Sequence, residues 1–526
     1  MTAPVVDQNI EDPASRVLSQ VFGHVSFRGP QQTVIEHVIA GFDALVLMPT
    51  GGGKSLCYQV PALVLDGVAV VVSPLIALMH QQVEHLLRLG VPAASLDSSQ
   101  SGQDNFQTEQ ALLRGDVKIL YVSPERLSGQ RLPGLLDRVQ LSLFAIDEAH
   151  CVSQWGHDFR PEYMTLSMLG RRWPDVPRLA LTASATEATA QEIIARLGLP
   201  EARVFRTSFD RPNLDYRIVA KDDVRRQLVR FIQEINHTGH DPASGIVYCA
   251  SRARTEQIAS WLRDSGLTAL AYHAGLDNAD RQTRQRQFIS QPGCVMVATI
   301  AFGMGIDKPD VRFVAHVDVP RSMEGYFQET GRAGRDGQAA VAWMCWGLDD
   351  VARASRPSDQ QQSQQRLLVQ QQAYEEMLAF CASSTCRRQT LLAHFGEAIA
   401  PCGHCDNCLA GSPDMDVTIA AQKLLSAVYR LWRERGQRFG ASHLIDILRG
   451  RKTRRVEEFD HRTLSVFGIG CDWSVRQWRR LLLQLVAERF LVMDDEGYRT
   501  LALTDASVPV LKSQRRIFMR AADLGG

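Results

Sequence analysis

Twice along the chain, short runs of apolar residues alternate with longer stretches of helical composition, and this alternation limits the fold more than any other feature. In residues 20–209 the runs are Ala44–Met48, Val68–Ser73, Val117–Val122, Leu143–Ile146 and Arg178–Leu181. In residues 210–348 they are Gly245–Cys249, Cys294–Ala298, Arg312–Val317 and Ala340–Met344. Short apolar runs without polar alternation read as strands buried on both faces. Such strands separated by helices predict a parallel sheet covered on both sides. The expected fold is therefore α/β, with two parallel sheets in tandem joined near Phe209–Asn213.

Two loops at predicted strand ends carry the chemistry. Ala44–Met48 leads into Thr50, Gly51, Gly52, Gly53, Lys54 and Ser55, and a helix-like stretch follows from Ser55. Glycines let backbone N–H groups close around phosphates, a lysine reaches the outer phosphates, and a serine hydroxyl reaches Mg²⁺. Met48 stands where the strict loop pattern has its first glycine. Leu143–Ile146 runs into Asp147, Glu148, Ala149 and His150. That position suits Asp147 to hold Mg²⁺ and Glu148 to orient or deprotonate water. Arg332 and Arg335 lie about 180 residues further on. They are suited to neutralise charge on a transferred phosphoryl group, and their distance implies delivery by the second sheet. The implied class is a nucleotide-driven motor.

With 526 residues, of which 45% are hydrophobic, the chain has room for three or four domains. No apolar run reaches the ~18–20 residues needed to span a bilayer. The start of the chain lacks the basic-then-apolar pattern of a secretory signal, so the expected compartment is the cytoplasm. Net charge is zero, but Lys and Arg exceed Asp and Glu from Met415 onward. This basic end is a candidate for phosphate-backbone contact, beside the plainer reading as a solvated surface.

Eleven cysteines in so long a chain do not make a disulfide scaffold. Cys57, Cys151, Cys249, Cys294 and Cys345 sit in or beside apolar runs and read as core thiols. Cys402, Cys405 and Cys408 form two C-x-x-C steps sharing one residue, with Cys386 sixteen residues before. Four thiolates can enclose Zn²⁺ tetrahedrally with no open position, which marks a structural site. Cys381 and His404 compete as ligands.

Trp155, His157, Phe159, Arg160 and Tyr163 crowd the segment just after Asp147 and Glu148. Aromatic faces stack on unpaired bases for about 1–3 kcal/mol each, and Arg adds cation–π attraction; core packing is the other reading. At the C-terminal end, Val417–Glu434, Ala441–Leu448 and Val475–Ala487 read as helices, and Phe490–Met493 pairs with Tyr498–Leu503 as a hairpin. Three helices and a hairpin imply a winged helix, used for duplex DNA or for protein contacts. Arg476, Arg479 and Arg480 on the third helix, with Arg451–Arg455, are the candidate duplex contacts. The hairpin tip, Asp494–Gly497, is acidic and repels phosphate, so it is not expected to act as a strand-separating pin.

In this order the motifs resemble those of the RecQ family of superfamily 2 DNA helicases, from about residue 18 to about 510. The resemblance rests on Phe22–His24 and Phe27–Gln31, MPTGGGKSLCYQ (48–59), VVSPLIALMHQQV (71–83), DEAH with CVSQWGHDFRPEY (147–163) and ALTASAT (180–186). In the second block it rests on GIVYCASRARTEQIA (245–259), YHAGL (272–276), ATIAFGMGIDKPDVRFVAHVDVP (298–320) and QETGRAGRDG (328–337). The resemblance implies that Gln31 reads the adenine edge, with Arg28 supporting it and His24 in the stacking slot. It implies that residues 71–83 form a strand touching the DNA backbone, that 180–186 links hydrolysis to DNA, and that Trp155 and Arg160 belong to a loop coupling DNA to ATP hydrolysis. It favours Cys386 as the fourth zinc ligand. Ser184, Ala250 and His24 depart from the family's commoner Thr, Asn and Tyr, and none of these removes a catalytic group.

The expected architecture is two RecA-like motor domains (1–209 and 210–350), a helical zinc-binding subdomain (351–411) and a winged-helix domain with a tail (412–526). The expected activity is ATP- and Mg²⁺-dependent 3′→5′ translocation on single-stranded DNA with unwinding of duplex or branched DNA, in recombination and repair. A DNA-stimulated translocase that remodels or anneals strands with little unwinding is the alternative. Expected partners are DNA and, by resemblance, single-strand-binding and repair proteins, with no membrane. A monomer in the bacterial cytoplasm, associated with the nucleoid, is expected. With about 16 residues beyond the winged helix, the further helicase-and-RNaseD C-terminal domain is expected to be absent.

Overall fold

The computed structural model describes residues 12–153, 159–238, 242–302, 308–354, 364–410, 414–493 and 500–524. The first sheet has seven strands: β1 (Ala44–Leu47), β2 (Val68–Val72), β3 (Ala93–Leu96), β4 (Ile119–Val122), β5 (Leu141–Ile146), β6 (Arg178–Thr182) and β7 (Arg203–Arg206). Their order is β3-β4-β2-β5-β6-β1-β7, and every pairing is parallel. The strands β1, β2 and β4 are buried at every position, as a sheet covered on both faces requires. Alternate residues feed opposite layers: Val46, Val71 and Ala145 face one apolar cluster, while Leu47, Val72 and Ile146 face the other.

The second sheet has six strands: β8 (Leu214–Ala220), β9 (Ser244–Tyr248), β10 (Ala269–Tyr272), β11 (Val295–Ala298), β12 (Val311–His316) and β13 (Ala340–Trp346). Their order is β10-β11-β9-β12-β13-β8, again all parallel. Two parallel sheets were expected and two are found.

One expectation fails. Residues 71–83 are not mainly strand: β2 stops at Val72, and Ile76–Arg88 is a helix. Pro74, which lacks an N–H, cannot continue the ladder, and the helix beyond it buries Met79 and Leu86.

Beyond β13 come helices Leu348–Ala354, Gln364–Ala382, Arg387–His394 and Asp406–Leu409. The last region holds helices Thr418–Arg435, Ala441–Leu448 and Val475–Ala487, with strands Leu491–Met493 and Leu501–Leu503 paired antiparallel. The third of these helices starts with a capping box, Ser474 and Gln477 satisfying each other's backbone N–H. The tip of the hairpin lies outside the described residues. A short pairing of Asp414–Asp416 with Phe518–Arg520 was not expected. It ties the two ends of this region together.

Candidate active site

Ligands of open parallel sheets sit beyond the carboxyl ends of the strands. Here the ends of β1, β6 and β5 lie side by side, with Leu47 in register with Thr182 and Ile146 with Ala180. The phosphate-type loop, the DEAH segment and the Ala183–Thr186 turn therefore open into one cleft.

In that loop Gly51 and Gly53 have φ of +83° and +80°, a backbone that side chains rarely tolerate. A Cβ on Gly52 would lie 2.5 Å from Met48 Cγ, so Met48 packs where the loop doubles back and a glycine faces it. Lys54 Nζ donates to the carbonyls of Met48 and Pro49 at 3.0 and 3.4 Å. Burial lowers its pKa, with Arg335 acting in the same direction and Glu148 and Asp147 opposing. Ser55 occupies the position before the helix Leu56–Val64 and makes no side-chain capping hydrogen bond. Gln31 is buried, and its Nε2 donates to Gly52 O and Gly53 O at 3.2 and 3.1 Å while Oε1 accepts from Arg28 N–H at 2.8 Å. His24 and the Arg28 side chain are exposed.

Asp147 continues β5 and is half-buried. Burial, then the neighbouring Glu148 charge, pushes its pKa up to about 7, against Lys54 and the Glu148 N–H. A carboxyl so placed favours a cation, which fits Mg²⁺. Glu148 adopts a left-handed backbone (φ +48°) and its Oε2 lies 3.3 Å from His150 Nδ1. Backbone strain of this kind clusters at active sites.

The segment after DEAH is anchored at its described end. Tyr163 donates its hydroxyl to Asp147 O at 2.9 Å, and Arg160 Nη1 donates to Pro74 O at 2.8 Å. Phe159 and Arg160 are half-buried. Trp155 and His157 lie outside the described residues.

Arg332 and Arg335 come from the second sheet, and the structure separates them. Arg332 is buried against Tyr248, whose own pKa burial pushes up to about 12 while Arg332 pulls it down. Arg335 reaches across the cleft: its Cγ lies 3.6 Å from where a Cβ on Gly51 would stand. Sequence reasoning missed Arg211, in the segment between the sheets. Its guanidinium donates to Thr50 O in one loop and to Ala333 O and Gly334 O in the other. Carbonyl partners leave no residue-type signature, although Arg211 falls within the Phe209–Asn213 joint that the sequence marks.

In the zinc region the sulfurs of Cys386, Cys402, Cys405 and Cys408 all lie within 4.8 Å of one another. Cys402–Cys408 and Cys405–Cys386 are each 3.9 Å apart. A tetrahedron with Zn–S bonds of about 2.3 Å requires sulfurs about 3.8 Å apart, whereas a disulfide is about 2.05 Å. The cage fits Zn²⁺. Backbone N–H groups of Arg387, Cys402 and Cys405 point at Cys405, Cys386 and Cys402 sulfurs at 3.4, 3.2 and 3.3 Å, as thiolates require. His404 is spent elsewhere, with Nδ1 2.7 Å from Asp215 Oδ1 and Nε2 3.2 Å from Arg388 Nη1. Cys381 is a separate buried thiol whose pKa burial raises. Arg387, also missed, is fully buried and holds Asp406 at 3.1 Å.

Among the core thiols, burial raises the pKa of Cys57 to about 12 and of Cys294 to about 11, consistent with inert packing. On the winged-helix side Arg476 and Arg479 are exposed and Arg480 half-buried, opposite the buried Trp478, Leu481, Leu482 and Leu485. Arg455 instead lies 5.2 Å over the Phe439 ring.

A phosphate loop and acidic DEAH turn on one parallel sheet, met by an arginine from a second, define a two-sheet helicase motor. Family models agree: DEAD/DEAH box helicase over residues 28–193, helicase conserved C-terminal domain over 225–337, RecQ zinc-binding over 348–409 and RQC domain over 412–524. The "ATP-dependent DNA helicase RecQ" of Pasteurella multocida is 44% identical over 96% of this chain and 79% of its own length. The protein of the same name from Haemophilus influenzae is also 44% identical, over 98% of this chain and 82% of its own. A solved structure of the DEAD-box helicase Mss116 bound to single-stranded RNA shares the fold, with TM-score 0.55 at 16% identity over 71% of this chain and 85% of that one. The chain belongs to the RecQ family of ATP-dependent DNA helicases. No helix among the described residues is long and apolar enough to cross a membrane.

Proposed function

We propose that this ATP-dependent DNA helicase moves 3′→5′ on single-stranded DNA and separates the duplex ahead of it. The observation that carries the reading is the meeting of Lys54, Asp147 and Glu148 at the ends of β1 and β5 with Arg335 from the opposite sheet. Lys54 exchanges its carbonyl partners for the outer phosphates of ATP. Ser55 and Asp147 would hold Mg²⁺, which would supply charge neutralisation on those phosphates. Glu148 orients the attacking water or takes its proton, and Arg335 neutralises the charge that develops as the bond breaks. Arg332, seated on Tyr248, steadies the same loop. Thr50 and Gly51 to Gly53 cradle the phosphates, while Gln31, Arg28 and His24 meet the base.

Phe159 and Arg160, with Trp155 and His157, meet the single strand, and Arg476, Arg479 and Arg480 meet the duplex. The division at residues 209, 350 and 411, the monomeric state, a place in the cytoplasm at the nucleoid, and contacts with single-strand-binding and repair proteins belong to the same reading. The polarity follows from the family resemblance.

The test is ATP hydrolysis with and without single-stranded DNA, beside unwinding of a 3′-tailed duplex and its 5′-tailed counterpart. Stimulated hydrolysis with unwinding from the 3′ tail alone is expected. Stimulated hydrolysis without unwinding would replace this reading with that of a translocase that remodels strands.

A further inference from the structure

Arg211 stands in the segment joining the two sheets, and its guanidinium spans two loops that are far apart in sequence. From Nη1 it donates to Thr50 O at 3.4 Å and Gly331 O at 3.3 Å. From Nη2 it donates to Ala333 O at 2.9 Å and Gly334 O at 2.8 Å. Thr50 belongs to the phosphate loop, while Gly331, Ala333 and Gly334 bracket Arg332 and lead into Arg335. Asn213 adds donations to Gly334 O and Gln338 O, each at 2.8 Å. Burial lowers the Arg211 pKa. A partly buried cation held by backbone oxygens fixes backbone rather than charge.

The segment carrying Arg211 is itself gripped by the zinc subdomain. Glu397 accepts from Phe209 N–H at 2.6 Å and from Ser208 Oγ at 2.8 Å. The Phe209 ring lies 5.1 Å from Phe395 and 5.7 Å from Phe327. Arg388, two residues past the zinc ligand Cys386, pairs with both carboxylate oxygens of Asp210. Asp210 is the residue before Arg211, so this pair limits where the Arg211 backbone can sit.

We propose that Arg211 is a positioning residue that sets the arginine loop over the phosphate loop, and that the zinc subdomain holds it there through Asp210 and Phe209. The proposal rests on the reading of Arg335 as the arginine that neutralises phosphoryl charge. The short Nη2 bonds fasten Arg211 to the arginine loop. The longer reach to Thr50 is the contact that domain closure alters. A catalytic group misplaced by about 1 Å loses roughly 100-fold in rate, so a backbone clamp at this point acts on turnover rather than on nucleotide affinity.

The experiment uses the full chain with saturating single-stranded DNA and compares Arg211→Ala, Arg211→Lys, Arg335→Ala and Arg388→Ala. It measures kcat, KM for ATP, zinc content and thermal stability. Arg211→Ala is expected to lower kcat about 10- to 100-fold with KM near that of the parent, and Arg211→Lys to recover part of the loss. Arg388→Ala is expected to lower kcat in the same direction while retaining its zinc. Parent-like kcat in Arg211→Ala beside a dead Arg335→Ala would overturn the positioning role alone. A loss in Arg211→Ala that tracks melting temperature or KM would also overturn it, as that of a mere strut. Parent-like turnover in zinc-loaded Arg388→Ala would overturn the part played by the zinc subdomain. Undiminished turnover in Arg335→Ala would remove the underlying reading and the proposal together.

Discussion

His150 Nδ1 lies 2.9 Å from Thr182 Oγ1, joining the DEAH turn after β5 to the end of β6. The same histidine nitrogen is 3.3 Å from Glu148 Oε2, and Thr182 Oγ1 donates to Ser184 O at 3.3 Å. Both His150 and Thr182 are buried. A movement of Glu148 during hydrolysis is therefore expected to be felt at the Ala183–Thr186 turn, through its close approach to His150 and the buried hydrogen bonds of Thr182. Thr182→Val keeps the shape and removes the hydroxyl. It is expected to cost about 1–3 kcal/mol of stability, because a buried imidazole nitrogen loses its nearer partner. It should also raise the ATP consumed per base pair unwound, through a coupling loss of about 0.5–2 kcal/mol. Unchanged stoichiometry would show that the contact is only structural.

Lys54→Ala is expected to lower ATP turnover by at least about 100-fold while DNA still binds. The lysine amine is held over the loop by Met48 O and Pro49 O, so its removal leaves the sheet and the DNA-facing segments untouched. Turnover and DNA affinity measured on one preparation check this; undiminished hydrolysis would move the phosphate site elsewhere.

The central strands were legible in the sequence and the edge strands were not. Strands β1, β2, β4, β5, β6, β9, β11, β12 and β13 each have neighbours on both sides and read as apolar runs. The four that were missed, β3, β7, β8 and β10, are the four sheet edges. Leu214–Ala220 alternates buried and half-buried residues, and Arg203–Arg206 is charged at both ends; an edge strand needs only part of its surface covered. The zinc cysteines were legible because their chemistry is tied to residue type. Arg211 was not, because its partners are carbonyl oxygens, and Gln31 engages Gly52 and Gly53 through their backbone in the same way.

Removing zinc should undo folding before it touches chemistry. The four sulfurs of Cys386, Cys402, Cys405 and Cys408 close a cage with no open position, and such a site contributes on the order of 10 kcal/mol to local order. Chelation, or Cys405→Ser, is expected to lower melting temperature and zinc content together. Because Arg387 N–H points at Cys405 Sγ and its guanidinium holds Asp406, the helix Arg387–His394 should loosen first. Hydrogen exchange would reveal this, and a zinc-free chain with parent-like protection there would count against a structural metal.

The dock between the zinc subdomain and the second sheet should respond to pH through His394 and Glu324. His394 Nε2 lies 2.7 Å from Glu324 Oε1, and Nδ1 lies 4.0 Å from Glu376 Oε2. Burial works against the charge on each, but the pair outweighs it: Glu324 is held down at about 2 and His394 is raised above 6.5. A carboxyl with a depressed pKa adds stability above its ordinary 4.5 and loses it as pH falls toward about 2. A histidine with a raised pKa adds its full share below 6.5 and loses it as pH rises through the raised value. The two contributions overlap fully between about 4.5 and 6.5, so melting temperature should fall by about 1–3 °C as pH is taken from 6.5 toward 9. His394→Gln is expected to lower stability at pH 6.5 and to flatten that slope. If the slope survives in His394→Gln, the proton is lost from another group and the docking contact is not its source.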